Sequence, residues 1–324
     1  MFNFDFYNPT HIVFGKDRLS ELNALVPKDA KVLITYGGGS AVRSGLIDRI
    51  VAALGDRKVE QFGGIEPNPS LETCERAVAF IKEHGVDFVL AVGGGSVVDA
   101  TKLIVMGATY DGPVIDVMKA GLPEVPVEIV PNPLPFGTVM TLPATGSEMN
   151  NGAVITYGDG KFPVFSSLVF PKFSMLDPTL TFTLPEKQVK NGVIDTFVHT
   201  TEQYLTYPVE GRIQDRFSEG ILKTMIEIGK ETVENPENYD IRANHVWAST
   251  LALNGLIGAG VPQDWATHLI GHELTAAYHL DHGITLAIVL PALLEVKKAD
   301  KLDKLAQYAT RVWHITEGTT EEKA

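Results

Sequence analysis

Residues 87–102 read DFVLAVGGGSVVDATK. A short β-rich run, DFVLAV, passes directly into Gly93, Gly94, Gly95 and Ser96, and a helical pattern begins at once. A strand that enters a helix through glycines leaves free backbone N–H groups at the helix start, where the missing side chains let the backbone approach an anion. The same tetrapeptide stands at 37–40, after the β run KVLITY (31–36) and before a helical stretch reaching about Leu54. Between the two, VEQFG (59–63) precedes SLETCERAVAFIKEHG, an amphipathic helix opened by Ser70. Strand and helix alternate throughout, so the order predicts an α/β domain with a parallel sheet covered on both faces.

One glycine loop alone is as much a tight turn as a binding loop. Two in one sheet point to phosphate binding, because ligands of open α/β sheets collect at the carboxyl ends of the strands. Neither loop is G-x-G-x-x-G, so a dinucleotide would be held by a variant of that motif. The first loop also bears on which dinucleotide. A carboxylate there would bond the ribose 2′-hydroxyl of NAD, whereas a 2′-phosphate needs small or basic residues. This chain offers Tyr36, Gly37, Gly38, Gly39, Ser40 and then Arg43, with no acid. NADP(H) is therefore favoured, with NAD(H) as the alternative.

From about 127 to 180 the chain is rich in proline and short extended segments, VEIVPNPLPFG, GAVITYG and FPVFSSLVF, which read as strands completing or bordering the sheet. After DPTLTFTLP (177–185) the pattern becomes nearly uninterrupted helix. The expected organisation is an α/β domain over 1–183 and an all-α domain over 184–324.

The helical half holds the second chemical signal. Asp195 and His199 are spaced i,i+4, which puts a carboxylate and an imidazole on one helix face. His268 and His272 repeat that spacing, with His279 and His282 soon after. A single helical histidine is ordinarily a solvated or hydrogen-bonded residue. Five of the nine histidines gathered in or beside two such pairs point instead to a ligand set. One acid with neutral imidazoles suits zinc or ferrous iron better than calcium or magnesium, which prefer oxygen shells. On one straight helix, residues 268 and 282 would stand about 21 Å apart, so the chain must turn back near 279–283, with Asp281 and Gly283 as turn residues.

Composition narrows the remaining classes. A net charge of −13 and the lack of a basic patch oppose binding to nucleic acid or anionic lipid. Cys74, the one cysteine, excludes an intrachain disulfide and a cysteine-rich zinc site, and reads as a packing residue. MFNFDFYNPT lacks a basic start, and no apolar run reaches the roughly 18 residues of a membrane span, so a cytoplasmic protein is expected.

Four stretches taken together carry a resemblance: GGGSVVDATK (93–102), PATGSEMN (143–150), NGVIDTFVHTTEQY (191–204) and WATHLIGHELTAAYHLDHGITLAIVLPAL (265–293). The chain resembles the iron-containing, or group III, alcohol dehydrogenases over essentially its whole length. Within that family it looks most like the NADPH-dependent butanol dehydrogenase and broad aldehyde reductase branch. The resemblance implies a Rossmann-like N-terminal domain and an all-helical C-terminal domain, the dehydroquinate synthase-like fold, with the active site in the cleft between them. Matched by motif, Asp195, His199, His268 and His282 correspond to the metal ligands and His272 to a histidine just outside them near the substrate. Gly94, Gly95 and Ser96 correspond to the pyrophosphate loop, with Asp99 on the helix that follows. Thr138, Thr141 and Leu142 correspond to residues on the nicotinamide side, and Gly38, Gly39 and Ser40 to the adenosine ribose region. His279 matches no ligand.

The activity implied is hydride transfer between NADP(H) and a small aliphatic aldehyde or alcohol, with Fe2+ or Zn2+ polarising the carbonyl, His272 relaying a proton, and a homodimer as the assembly. Family members usually continue with further helices beyond TEGTTEEKA, so the chain reads as a shortened member or a truncated piece of one. Two alternatives stand beside this reading. A dehydroquinate synthase-type lyase should present basic residues to a phosphorylated acid, yet TLPATGSEMN and TAAYHLDHG are apolar or neutral. A non-catalytic nucleotide-binding relative would be favoured by loss of a ligand, and all four ligands are present.

Overall fold

The computed structural model describes residues 1–119 and 132–324. They form two units, one of Asn8–Leu142 with Ser147–Thr181, the other of Phe182–Ala324 with Met1–Tyr7 and Pro143–Gly146. A single break near 183 leaves out the last two of these segments, which belong to the helical unit by contact rather than by sequence position.

The first unit contains strands β1 (His11–Phe14), β2 (Lys31–Tyr36), β3 (Lys58–Phe62), β4 (Phe88–Gly93), β5 (Phe136–Met140), β6 (Gly152–Tyr157), β7 (Gly160–Phe165) and β8 (Phe173–Leu176). Its helices are α1 (Leu22–Leu25), α2 (Ser40–Arg43), α3 (Leu46–Leu54), α4 (Leu71–His84), α5 (Gly95–Ala108) and α6 (Val114–Met118). Six strands form one sheet in the order β1-β8-β5-β4-β2-β3, every pairing parallel. Alternate residues of β2 and β4 face opposite ways. Leu33, Val89 and Ala91 pack with Cys74, Ala77, Val78 and Leu103 from α4 and α5. Val32, Ile34, Phe88 and Leu90 pack with Leu22, Ile47, Ile50 and Leu54 from α1 and α3. The sheet is thus buried on both faces, and β4 is buried along its whole length. Cys74 lies in this core, where burial pushes its thiol up, as befits a packing residue.

Two details differ from the sequence reading. GAVITYG and FPVFSSLVF do not border the main sheet; their strands β6 and β7 pair antiparallel with each other, burying Ile155 and Val164 against the α4–α5 cluster. The helix expected up to Leu54 is divided into α2 and α3 at Gly45. Part of VEIVPNPLPFG lies outside the described residues, and β5 begins at Phe136.

β2 is flanked by β3 on one side and β4 on the other, so the winding of the sheet reverses between β2 and β4. The loops that follow these two strands, both GGGS, therefore emerge together at the switch point where open α/β sheets bind ligands.

The second unit contains α7 (Glu186–Tyr204), α8 (Arg212–Glu234), α9 (Tyr239–Ala252), α10 (Ala266–Tyr278), α11 (His282–Val296), α12 (Leu302–Arg311) and α13 (Thr320–Lys323). α7 is its axis, packing against α8, α9, α10 and α11. No helix among the described residues is long and apolar enough to cross a membrane.

Candidate metal centre and glycine loops

Asp195 and His199 stand one turn apart on α7 and are both buried. His268 and His272 stand one turn apart on α10, and His282 is the first residue of α11. The turn that joins the last two helices is made by His279, which adopts a left-handed conformation (φ 54°) and donates its N–H to Thr275 O at 2.9 Å. Asp281 then precedes α11 and is tied to α7 by Lys187 (2.7 Å) and Asn191 Nδ2 (3.0 Å). Gly283, expected in the turn, lies inside α11. A Cβ there would come 2.8 Å from Asn191 Cα, so its role is to let α11 lie against α7.

Asp195 Oδ1 is the centre of the cluster. It lies 3.6 Å from His199 Nδ1, 3.5 Å from His268 Nε2 and 3.6 Å from His282 Nε2. Asp195 Oδ1, His199 Nδ1 and His268 Nε2 are buried and have no hydrogen-bond partner among the described residues. Tetrahedral coordination with bonds of roughly 2.0–2.2 Å separates ligand atoms by about 3.3–3.6 Å, so these spacings fit atoms that share an ion. Asp195, His268 and His282 offer ligand atoms all within 4.8 Å of one another. His199 is outside that mutual set, and its ring stacks on that of His268 with centroids 4.5 Å apart. The half-buried His272 has its ring centroid 5.2 Å from that of His282 and 6.3 Å from that of His268.

The electrostatics fit a cation. Burial opposes ionisation of Asp195, but His199, His268 and His282 outweigh it and hold the carboxyl well below the usual range. Burial pushes His199 down to about 4, leaving the neutral ring that a metal needs. Burial also acts to lower His268, but Asp195 and Glu202 prevail and push it up to about 9. A proton on His268 thus supplies positive charge beside Asp195, and a divalent ion would supply it better.

Glu202 escaped the sequence reading. It lies one turn beyond His199 on the same stripe of α7 as Asp195, at spacing i, i+4, i+7, which is the signal that could have found it. Its Oε2 accepts from His268 Nδ1 and its Oε1 accepts from Thr267 N at 2.6 Å.

The glycine loops belong to the other unit. Gly93 ends β4, Gly94 precedes α5, and Gly95 and Ser96 form its first turn. Thr141 donates its N–H to Gly93 O at 3.0 Å, and a Cβ on Gly94 would lie 3.0 Å from Leu142 Cβ. Thr141 and Leu142 therefore wall this loop. Thr138 is buried within β5, between Ala91 and Ser174. Asp99 accepts from Ser147 Oγ at 2.5 Å and Val154 N at 2.9 Å. Beside it the buried Lys102 donates to Ser147 Oγ (2.8 Å), Asn150 Oδ1 (2.9 Å) and Gly152 O (2.6 Å). Together they fasten residues 147–154 to α5, a role no sequence pattern announced. In the first loop, Gly38 has open space around its Cβ position, Gly39 is left-handed (φ 92°), and Arg43 Nη1 donates to Gly38 O at 3.3 Å. Ser40 begins α2.

Comparison with known proteins identifies the family. A family model described as iron-containing alcohol dehydrogenase matches residues 9–178, and one for the C-terminal part of the Fe-containing alcohol dehydrogenase family matches residues 189–324. The NADPH-dependent aldehyde reductase YqhD of Escherichia coli is 55% identical over 328 residues, covering 100% of this chain and 83% of that protein. Its crystal structure superposes with a TM-score of 0.95 at 53% identity, covering 100% of this chain and 83% of that one. A probable NADH-dependent butanol dehydrogenase of Bacillus subtilis is 42% identical over 330 residues, covering 100% of this chain and 84% of that protein. The chain belongs to the iron-containing alcohol dehydrogenase family.

Proposed function

We propose that this chain is a metal-dependent aldehyde reductase and alcohol dehydrogenase, using NADP(H) and a small aliphatic aldehyde or alcohol. Asp195, His199, His268 and His282 would hold Fe2+ or Zn2+. The observation that carries the reading is the buried Asp195 Oδ1, without a hydrogen bond among the described residues and with three imidazole nitrogens at 3.5–3.6 Å. Relatives named as an aldehyde reductase and a butanol dehydrogenase support it, and the lyase-type and non-catalytic alternatives gain no support from them.

When bound, the ion supplies Lewis acidity to a carbonyl oxygen and the nicotinamide supplies hydride. Asp195 contributes the one negative charge of the donor set, so the set leaves net positive charge to face a developing alkoxide. His272, outside the donor set, is the nearest further imidazole and is assigned the proton held for the product oxygen. The backbone N–H groups of Gly94, Gly95 and Ser96 at the start of α5 receive the pyrophosphate. Thr141 and Leu142 bound the nicotinamide side, and the buried Thr138 and half-buried Asp99 support it from β5 and α5. Gly37, Gly38, Gly39 and Ser40 receive the adenosine ribose, with Arg43 beside Gly38 suited to a 2′-phosphate. A cytoplasmic location rests on the sequence expectation and a homodimer on the family resemblance, and light scattering tests the dimer.

The test is NADPH oxidation with butanal by protein loaded with ferrous iron or zinc, alongside elemental analysis of wild type and Asp195→Ala. Aldehyde-dependent oxidation and loss of metal in the variant are expected. A loaded wild type that oxidises no NADPH, or a variant with full metal content, overturns the reading.

A further inference from the structure

α10 is capped only in part by its own neighbours in sequence. Its N-cap position is Trp265, which gives the first turn no side-chain acceptor, although Ser, Thr, Asp and Asn serve that position best. The first-turn amides are met by one carboxylate just ahead of the helix and one from α7. Asp264 Oδ1 accepts from Ala266 N at 3.1 Å, and Glu202 Oε1, reaching across from α7, accepts from Thr267 N at 2.6 Å and His268 N at 3.3 Å. A carboxylate at a helix N-terminus is stabilised by those amides and by the helix dipole. Glu202 is only 4% exposed, so water does not compete for these bonds.

The other oxygen does separate work. A carboxylate only accepts hydrogen bonds, so His268 Nδ1 must be the donor to Glu202 Oε2. Once His268 gives up its second proton, as ligation requires, this bond holds it in the tautomer whose lone pair is on Nε2, the atom 3.5 Å from Asp195 Oδ1. The backbone of Glu202 takes part as well, its carbonyl accepting from Asp264 N at 3.0 Å.

We propose that Glu202 is the positioning residue of the metal centre: one buried carboxylate caps α10 and, through the same helix turn, presents His268 Nε2 to the ion. The proposal rests on the reading of Asp195, His199, His268 and His282 as metal ligands. It separates two effects that an ordinary packing role would merge. Glu202→Gln has the same shape and keeps a carbonyl oxygen for the Thr267 and His268 amides, but it sets an NH2 group against His268 Nδ1. Two donors cannot share that contact, so His268 must place its proton on Nε2, the nitrogen the ion needs.

The experiment uses the full chain stripped of metal and titrated with Zn2+ against a chromophoric chelator, with the visible absorption of added Co2+ as a coordination signature. Glu202→Gln is expected to bind Zn2+ roughly 10–100-fold more weakly than wild type, with a perturbed Co2+ spectrum and a metal-free melting temperature near that of wild type. Glu202→Ala should lower the metal-free melting temperature as well, because the cap is lost. In a His268→Ala background, Glu202→Gln should weaken Zn2+ binding no further. Should Glu202→Gln prove less stable, the rise in its melting temperature on adding Zn2+ is still expected to shrink. Wild-type affinity and an undiminished rise in Glu202→Gln overturn the proposal, as does an equal loss with and without His268. Asp195→Ala distinguishes the two levels. If it binds Zn2+ as tightly as wild type, there is no metal centre and both readings fall; if it loses Zn2+ while Glu202→Gln does not, only the positioning role falls.

Discussion

The loop before α5 and the centre on α7, α10 and α11 are built on opposite principles. The loop is made of backbone: Gly93, Gly94 and Gly95, whose value lies in the side chains they lack, followed by the small Ser96. The centre is made of side chains drawn from positions 195 to 282, each aimed by a different helix or turn. Adding atoms therefore damages the loop and removing atoms damages the centre. Charge follows the same division. The loop offers amide dipoles that do not titrate, while the centre balances one carboxylate against imidazoles held up to about 9 and down to about 4.

The largest expected effect breaks the centre and leaves the loop alone. Asp195→Ala removes the only anion of the donor set, so metal content and kcat/KM should fall together, by more than the roughly 10–100-fold typical of losing a residue that merely supports a ligand. Isothermal titration with NADPH should still show wild-type binding; loss of both would show that the regions do not act separately.

Gly94→Ala does the reverse. The added methyl meets Leu142 Cβ at 3.0 Å and narrows the phosphate loop, so NADPH affinity should drop about tenfold, which corresponds to roughly 1.4 kcal/mol. Metal content should not change, and elemental analysis beside fluorescence titration of NADPH checks both halves of that statement.

Gly38→Asp sharpens the loop's specificity without deforming it. Position 38 has room for a side chain, whereas an aspartate at Gly39 would be strained by its φ of 92°. A carboxylate at 38 should repel the 2′-phosphate and bond the ribose of NADH, shifting the kcat/KM ratio of NADPH to NADH by about tenfold or more toward NADH. A wild type that already prefers NADH would show the ribose assignment to be wrong.

The smallest effect is in stability against pH. His268 in the metal-free protein titrates near 9, above its ordinary 6.5. Its stabilising contribution is therefore complete below pH 6.5 and lost as pH rises through about 9. His199 runs the other way: held near 4, it costs stability as pH falls from 6.5 toward 4. The metal-free melting temperature should decline by a few degrees between pH 7 and pH 9. That decline should vanish in His268→Ala and in the zinc-loaded protein, where an ion replaces the proton; differential scanning fluorimetry across pH would reveal its persistence in either.

Much of the first unit was legible because its signals are local. KVLITY, VEQFG and DFVLAV became β2, β3 and β4, since apolar β runs that alternate with helices have few ways to bury both faces. Ser70 caps α4 as its sequence indicates, accepting from Thr73 N. GAVITYG and FPVFSSLVF were legible as strands but not as a separate hairpin, because alternation shows that a strand has a buried face and not which neighbour it pairs with.

For the site, sequence by itself determined the chemistry: a carboxylate and imidazoles at i,i+4 spacing on helices, and glycines between strand and helix, because both are set within one or two turns of chain. Tertiary structure alone decided which atoms meet. It made His279 rather than Gly283 the turn that returns His282 to His268, and it used Gly283 to seat α11 on α7. It also joined Glu202 to His268 across 66 positions of sequence and set Asp99 and Lys102 to fastening residues 147–154. The stripe of Asp195, His199 and Glu202 could mark Glu202 but not its partner, because a buried hydrogen bond constrains where two side chains end in space and not how far apart they lie along the chain.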